Sequence, residues 1–341
     1  MQPFSNASLK NVTLILVSGI LSLTAACTTN SLASRDYVQI NGSSTVYLIT
    51  QLAVKKFNDS QPGSVSIAVQ QAGTEAGFRS FCEGKTDIND AARPILLREM
   101  DACKQNGVVY FEFPIAFDAL TIAVNSKNNW ANDITIAELK KLWAPSAEGK
   151  IKTWNQIRAS WPNQPIHLYG PDKDSGTIDY FTLALGLPEH GIRSDYTGDS
   201  DARVLAQKVG DDSAAIGYFG YGYYLANANH LRPLAVDSGK GAVLPSPETV
   251  QNARYHPFSR PLLLYVNAQS AQTKPTVKAF VEYYLSHTAD LGKEAGYVPL
   301  SGEAYHINTV HFYNAKVGTV FAGEPQPGVT IPQLLRKQAI F

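Results

Sequence analysis

Three short segments place hydroxyls and unhindered backbone N–H groups where helices are expected to begin. They are Asn41-Gly42-Ser43-Ser44-Thr45, Ala72-Gly73-Thr74-Glu75-Ala76-Gly77 and Asp172-Lys173-Asp174-Ser175-Gly176-Thr177. The first N–H groups of a helix lack intrahelical partners, and its N-terminus carries a partial positive charge. Glycine lets an anion approach the backbone, and Ser or Thr adds a hydroxyl donor. Ser, Thr and Gly also serve as ordinary N-caps, so one such loop carries little weight. Three, each directly after an extended apolar run, point to one small oxyanion held by several helix ends.

Other chemistries find little support. The seven histidines are scattered without a metal-ligand spacing; His306 and His311 come closest to a pair and are badly spaced for one helix face. No Gly-x-Ser-x-Gly elbow accompanies the Ser, His and Asp residues, and no Gly-Lys-Ser/Thr triplet closes a glycine loop. The expectation is therefore no catalytic residue, no metal and no cofactor. The four Trp and seventeen Tyr read as core and surface packing rather than sugar stacking.

The elements that would carry the three loops can be read from periodicity. Tyr37-Val38-Gln39-Ile40 alternates as a strand, and Ile49, Leu52, Ala53 and Phe57 then mark one face of a helix. Residues 65–69 form a second strand, Phe78 and Phe81 anchor a short helix, and residues 108–113 are again extended. A second set follows: a strand at 120–124, a capping box Thr135-Ile136-Ala137-Glu138 opening a helix, a strand at 166–169 feeding Ser175-Gly176-Thr177, and a strand at 214–218. Residues 261–266 are extended, and Val277, Phe280, Val281 and Tyr284 share a helix face. The alternation predicts α/β architecture with doubly wound sheets. Beyond residue 305 no periodicity is visible, and a wrapping tail is expected.

The chain has 341 residues, enough for two cores, and its 29 basic and 29 acidic side chains cancel. That balance argues against a nucleic-acid surface. Lys10 precedes a mostly apolar stretch, residues 12–26, of signal-peptide length and too short to span a membrane. It ends Leu23-Thr24-Ala25-Ala26-Cys27, similar to a bacterial lipobox with Cys27 as the lipidated residue; Thr24 stands where Leu is usual, and ordinary cleavage after a small residue is the alternative. Either route takes the protein out of the cytoplasm. With Cys27 lipidated, Cys82 and Cys103 remain as the pair expected to form a disulfide in an oxidising compartment, two buried thiols being the alternative.

The order of these pieces resembles the phosphate-binding proteins of bacterial phosphate ABC transporters, the PstS-like family and its SphX-like branch. The resemblance runs from about residue 37 to 305. It rests on Ile40-Asn41-Gly42-Ser43-Ser44-Thr45-Val46, Gly73-Thr74-Glu75-Ala76-Gly77-Phe78, Asp87-Ile88-Asn89-Asp90-Ala91-Ala92-Arg93-Pro94, Gly170 to Thr177, Ala215-Ile216-Gly217-Tyr218, Ser259-Arg260-Pro261-Leu262 and Gly296-Tyr297-Val298-Pro299-Leu300. It implies a type II periplasmic-binding-protein fold, in which two lobes, each a doubly wound sheet flanked by helices, close on a ligand. The implied order is a signal peptide over 1–26, a tether over 27–36, lobe 1 over 37–118 and 256–341, and lobe 2 over 119–255, with crossovers near Phe117-Asp118-Ala119 and residues 257–261.

Residue by residue, the resemblance puts the phosphate contacts on Thr45, Val46, Thr74, Ser175, Gly176 and Thr177. Arg93, in Ala91-Ala92-Arg93-Pro94, becomes the expected neutralising cation, because a guanidinium can give two parallel N–H bonds to one oxyanion. Ala92 lacks the polar side chain common there, which removes the usual acceptor for the phosphate proton. Glu75, Asp172, Asp174 or a backbone carbonyl are the replacements, with Asp172 preferred, while Lys173 is expected in solvent. The implied function is phosphate capture for a membrane permease by a periplasmic, lipid-anchored monomer. A sensor or scavenger without a permease, a receptor for another tetrahedral oxyanion, and a phosphatase are the alternatives; the last would need a nucleophile with a base, or metal ligands.

Overall fold

The computed structural model describes residues 37–61, 66–188, 191–324 and 326–341. The expected signal peptide, tether and Cys27 lie outside them. Strands in chain order are β1 (Tyr37–Gly42), β2 (Ser66–Val69), β3 (Ile88–Ala91), β4 (Tyr110–Asn125), β5 (Asp133–Thr135), β6 (His167–Pro171), β7 (Thr197–Asp199), β8 (Ala215–Gly220), β9 (Leu231–Pro233), β10 (Ala235–Asp237), β11 (Ala242–Val243) and β12 (Ser259–Asn267). Nine of them make one sheet in the order β2-β1-β3-β12-β4-β8-β6-β7, with β9 also on β4; β11-β10-β5 form a small second sheet.

Two parallel sets, β2-β1-β3 and β8-β6-β7, are joined through antiparallel β12 and β4. Strand β4 changes partners along its length: its pairing with β12 ends at Ala119, opposite Ser259, and Leu120 begins the pairing with β8 opposite Gly220. The extended runs at 108–113 and 120–124, read separately from the sequence, meet in this one strand, which begins at Tyr110. All 16 of its residues are buried, so it needs no polar alternation. Pro114 is accommodated because the register with β12 shifts between Leu262 and Leu263, next to the residue that cannot donate a ladder bond.

Helices cover the sheet where the apolar stripes require. Ser44–Ser60 buries Ile49, Ala53 and Phe57 against the helix Pro275–Glu294, with the Phe57 and Phe280 rings 5.5 Å apart. Around β8, Trp143, Phe181 and Tyr218 pack together, the last two stacked at 3.9 Å. The capping box at Thr135 and Glu138 is made in both directions, 3.1 and 2.9 Å. Cys82 and Cys103 are bonded (S–S 2.05 Å), tying the helix Thr74–Cys82 to Leu97–Gln105, a helix that periodicity did not reveal.

The wrapping tail is a partial correction. Gly318 N donates to Tyr110 O and Gly328 N to the Tyr180 hydroxyl, so the segment packs back on the body of the protein, but helices Gly302–Tyr313 and Ile331–Ile340 flank it. The first buries Ala304, Asn308 and Phe312. Asn308 donates to Pro114 O at 2.8 Å and accepts from Gln338 at 2.7 Å. A stripe made of a small, a polar and an aromatic residue leaves no hydrophobic period to read. Among the described residues no helix is long and apolar enough to cross a membrane.

Candidate anion-binding site

Each of the three loops ends a strand or turn and opens a helix. Gly42 closes β1 at φ +131°, and a Cβ there would stand 2.1 Å from Asp90 O, so the chain can turn into the helix only with glycine. Ser43 caps that helix by accepting from Thr45 N at 3.1 Å, and the first intrahelical bond is Tyr47 N to Ser43 O. The N–H groups of Ser44 and Val46 therefore precede the helical ladder. Thr74 opens the second helix after Gly73 (φ +92°), and its Oγ1 accepts from Ala92 N at 3.2 Å. Ser175 caps Gly176–Ala184, accepting from Thr177 N at 3.2 Å.

The fold brings these helix starts together. Thr45 Oγ1 and Thr177 Oγ1 are 3.3 Å apart, both buried. A Cβ on Gly176 would lie 2.4 Å from Thr74 Oγ1. The Glu75 N–H donates to Asp174 O at 3.1 Å, and Arg79 bridges Asp174 at 2.9 Å and Glu75 at 3.5 Å. Thr45, Thr74, Gly176 and Thr177 are thus brought together, with Val46 next to Thr45 in the chain and Ser175 at the edge.

The cation at these hydroxyls is Arg260. It is fully buried on β12, and Nη2 donates to Thr177 Oγ1 at 3.0 Å and Thr45 Oγ1 at 3.3 Å. Asp118 Oδ2 accepts from its Nε and Nη2 at 3.1 and 2.9 Å, and the other carboxylate oxygen takes Tyr221 N at 2.9 Å. The Tyr180 ring lies 5.7 Å from the guanidinium carbon. Nη1 is buried and has no hydrogen-bond partner among the described residues. A buried guanidinium nitrogen is costly to leave without an acceptor. The sequence signal was available: Arg260 is the one charge in the buried run Ser259–Asn267.

Arg93 is placed differently. Glu99 accepts from its Nη1 and Nη2 at 2.9 and 2.8 Å, and Asp179 accepts from Nε at 2.6 Å. Burial alone would lower its pKa, but the bonds and charges of Glu99 and Asp179 outweigh that and raise it. Asp172 is exposed at the rim, beside a cavity of about 470 Å³ that Ser44, Gly73, Asp174 and Ser175 also line. Burial and the charges of Asp199 and Asp174 raise its pKa. Lys173 is exposed, as expected. Under the first helix start, burial pushes Asp90 up to about 8, partly offset by the Thr50 hydroxyl at 3.0 Å. Among the described residues, no group of three or more His, Cys, Asp or Glu could hold a metal ion.

Residues 28–288 match the family described as a PBP superfamily domain. Protein SphX of Synechocystis sp. is 46% identical over 327 residues, covering 96% of this chain and 95% of that one. The phosphate-binding protein PstS of Staphylococcus haemolyticus is 33% identical over 265 residues, covering 77% and 81%. A solved structure from Planctomyces limnophilus, described as a possible phosphate binding protein, is 36% identical, with a TM-score of 0.62 and coverage of 82% and 98%. A structure from Clostridium perfringens with bound phosphate, described as a candidate phosphate ABC transporter substrate-binding protein, is 25% identical, with a TM-score of 0.65 and coverage of 78% and 100%. Matched over nearly its whole length, with helix starts and a buried arginine converging on one point, the chain belongs to the PBP superfamily and, within it, to the PstS-like phosphate-binding proteins of the SphX branch.

Proposed function

We propose that this protein is an exported, non-enzymatic receptor that captures one inorganic phosphate between two lobes and delivers it to an ABC-type permease. Residues 37–118 and 256–341 form one lobe and 119–255 the other, the change of β4 partners at Ala119 and Leu120 supporting that division. The observation that carries the reading is the buried Arg260, whose Nη2 donates to the hydroxyls of Thr45 and Thr177 while its Nη1 has no hydrogen-bond partner among the described residues. Arg260 supplies the neutralising charge in place of Arg93. Thr45, Thr74, Ser175 and Thr177 supply hydroxyls, and Val46 and Gly176 supply N–H groups ahead of their helical ladders. Such donors need little rearrangement, which favours a desolvated, preorganised site.

Periplasmic location, a lipid anchor at Cys27 and a monomeric state complete the proposal. Calorimetry with phosphate, after refolding to strip carried-over ligand, tests it; one phosphate per chain is expected, and no heat would overturn it. Turnover of a chromogenic phosphate ester would overturn the non-enzymatic part.

A further inference from the structure

Arg93 holds a buried positive charge that the proposed phosphate chemistry does not use. Its two terminal nitrogens are gripped by Glu99, which also accepts from Leu96 N at 2.8 Å, so the fork is built within the lobe that carries β3. Its Nε reaches the other lobe, donating at 2.6 Å to Asp179. Asp179 sits in the first turn of Gly176–Ala184, the helix whose start presents Ser175, Gly176 and Thr177. Arg93 is 1% exposed, and Glu99 and Asp179 are 7% exposed.

Resting on the two-lobed phosphate-receptor reading above, we infer that Arg93 and Asp179 are a closure latch. Glu99 keeps the guanidinium aimed while the lobes are apart, and Asp179 joins it when they meet. Three observations support this. The seam beside the pair is not interdigitated: a cavity of about 300 Å³ remains, lined by Arg93, Leu96, Leu97, Asp179, Leu183 and Leu187. A directional charged contact beside a void can part and rehydrate without tearing a packed core. A second ion pair across the seam, Arg79 with Asp174, is about half exposed on both sides and screened, so it holds little. Finally, a carboxylate is favoured at a helix N-terminus but opposes an anion bound there. Arg93 neutralises Asp179 in the closed form, so closure strengthens the anion's hold and the anion strengthens closure to the same degree.

Asp179→Asn in the mature chain tests the latch, since it keeps an acceptor and removes the charge. Phosphate association and dissociation are followed by stopped flow, and lobe closure by X-ray scattering with and without saturating phosphate. The expected result is an unchanged association rate, dissociation about tenfold faster, a larger radius at saturation and an unchanged unliganded melting temperature. A through-space effect alone predicts the opposite sign, because removing a carboxylate near a bound anion slows its release. Parent-like or slower dissociation with a parent-like radius overturns the latch. Should Asp179→Asn fail to fold, Asp179→Glu misplaces the carboxylate while keeping its charge; faster release supports the latch and parent-like release overturns it. If phosphate neither binds nor closes the parent, the phosphate reading falls. The radius is then compared with sulfate or arsenate, whichever closes the parent; a difference between parent and variant supports the latch, and equality overturns it.

Discussion

Gly176 packs so closely on Thr74 that a Cβ at the glycine would stand 2.4 Å from the threonine Oγ1 and 2.7 Å from its Cβ. The contact joins the starts of two helices on opposite halves of the sheet, and Thr74, branched at Cβ, has little room to turn aside. Gly176→Ala is therefore expected to obstruct closure. Phosphate affinity should fall about tenfold or more, the scale of an overpacked contact, while the unliganded melting temperature stays near the parent value. Calorimetry and thermal melting check the two parts.

Arg260→Lys keeps the charge but loses the fork that serves Asp118, Thr45 and Thr177 together. It is expected to fold and to bind phosphate at least about tenfold more weakly. Arg260→Met leaves Asp118 buried without its cation and should cost about 3–5 kcal/mol of stability. Urea melts separate that loss from the binding defect; full phosphate affinity in both variants would remove Arg260 from the site.

Stability should fall as pH rises from about 5 to about 8. Burial pushes Asp90 up to about 8 and Glu112 up to about 7. A carboxyl whose folded pKa is raised binds its proton more tightly folded than unfolded, so the folded chain loses ground as pH climbs from the unfolded value through the folded one. Asp90→Asn retains an acceptor for Thr50 and should remove from that decline an amount on the order of a few kcal/mol. Melting temperatures of parent and variant at both pH values decide it; parallel curves would refute the assignment.

Reduction of the Cys82–Cys103 bond, which spans a sequence separation of 21, should destabilise the protein by about 3 kcal/mol in the chain-entropy account. Denaturant melts with and without reductant measure it. Phosphate binding should survive, because the bond ties Thr74–Cys82 to Leu97–Gln105 at the end remote from Thr74.

The three helix starts were legible in the sequence because their chemistry is local: glycine permits the turn, and Ser43 and Ser175 cap the helices that follow. The strands flanking them were legible because alternation and apolar runs are local too. What only the tertiary structure decided was which charge stands where. Arg93 and Arg260 each lie beside a proline in a segment of the same family resemblance, and nothing in either segment says which carboxylates will face it. Glu99 lies only six residues from Arg93, but Asp179 and Asp118 arrive from 86 and 142 residues away. The merging of two apolar runs into β4 and the polar stripe of Gly302–Tyr313 were hidden for the same reason. A residue's type limits which partners it can satisfy, but burial and long-range pairing choose among them, and in this protein that choice separates the arginine at the Thr45 and Thr177 hydroxyls from the arginine paired with Glu99 and Asp179.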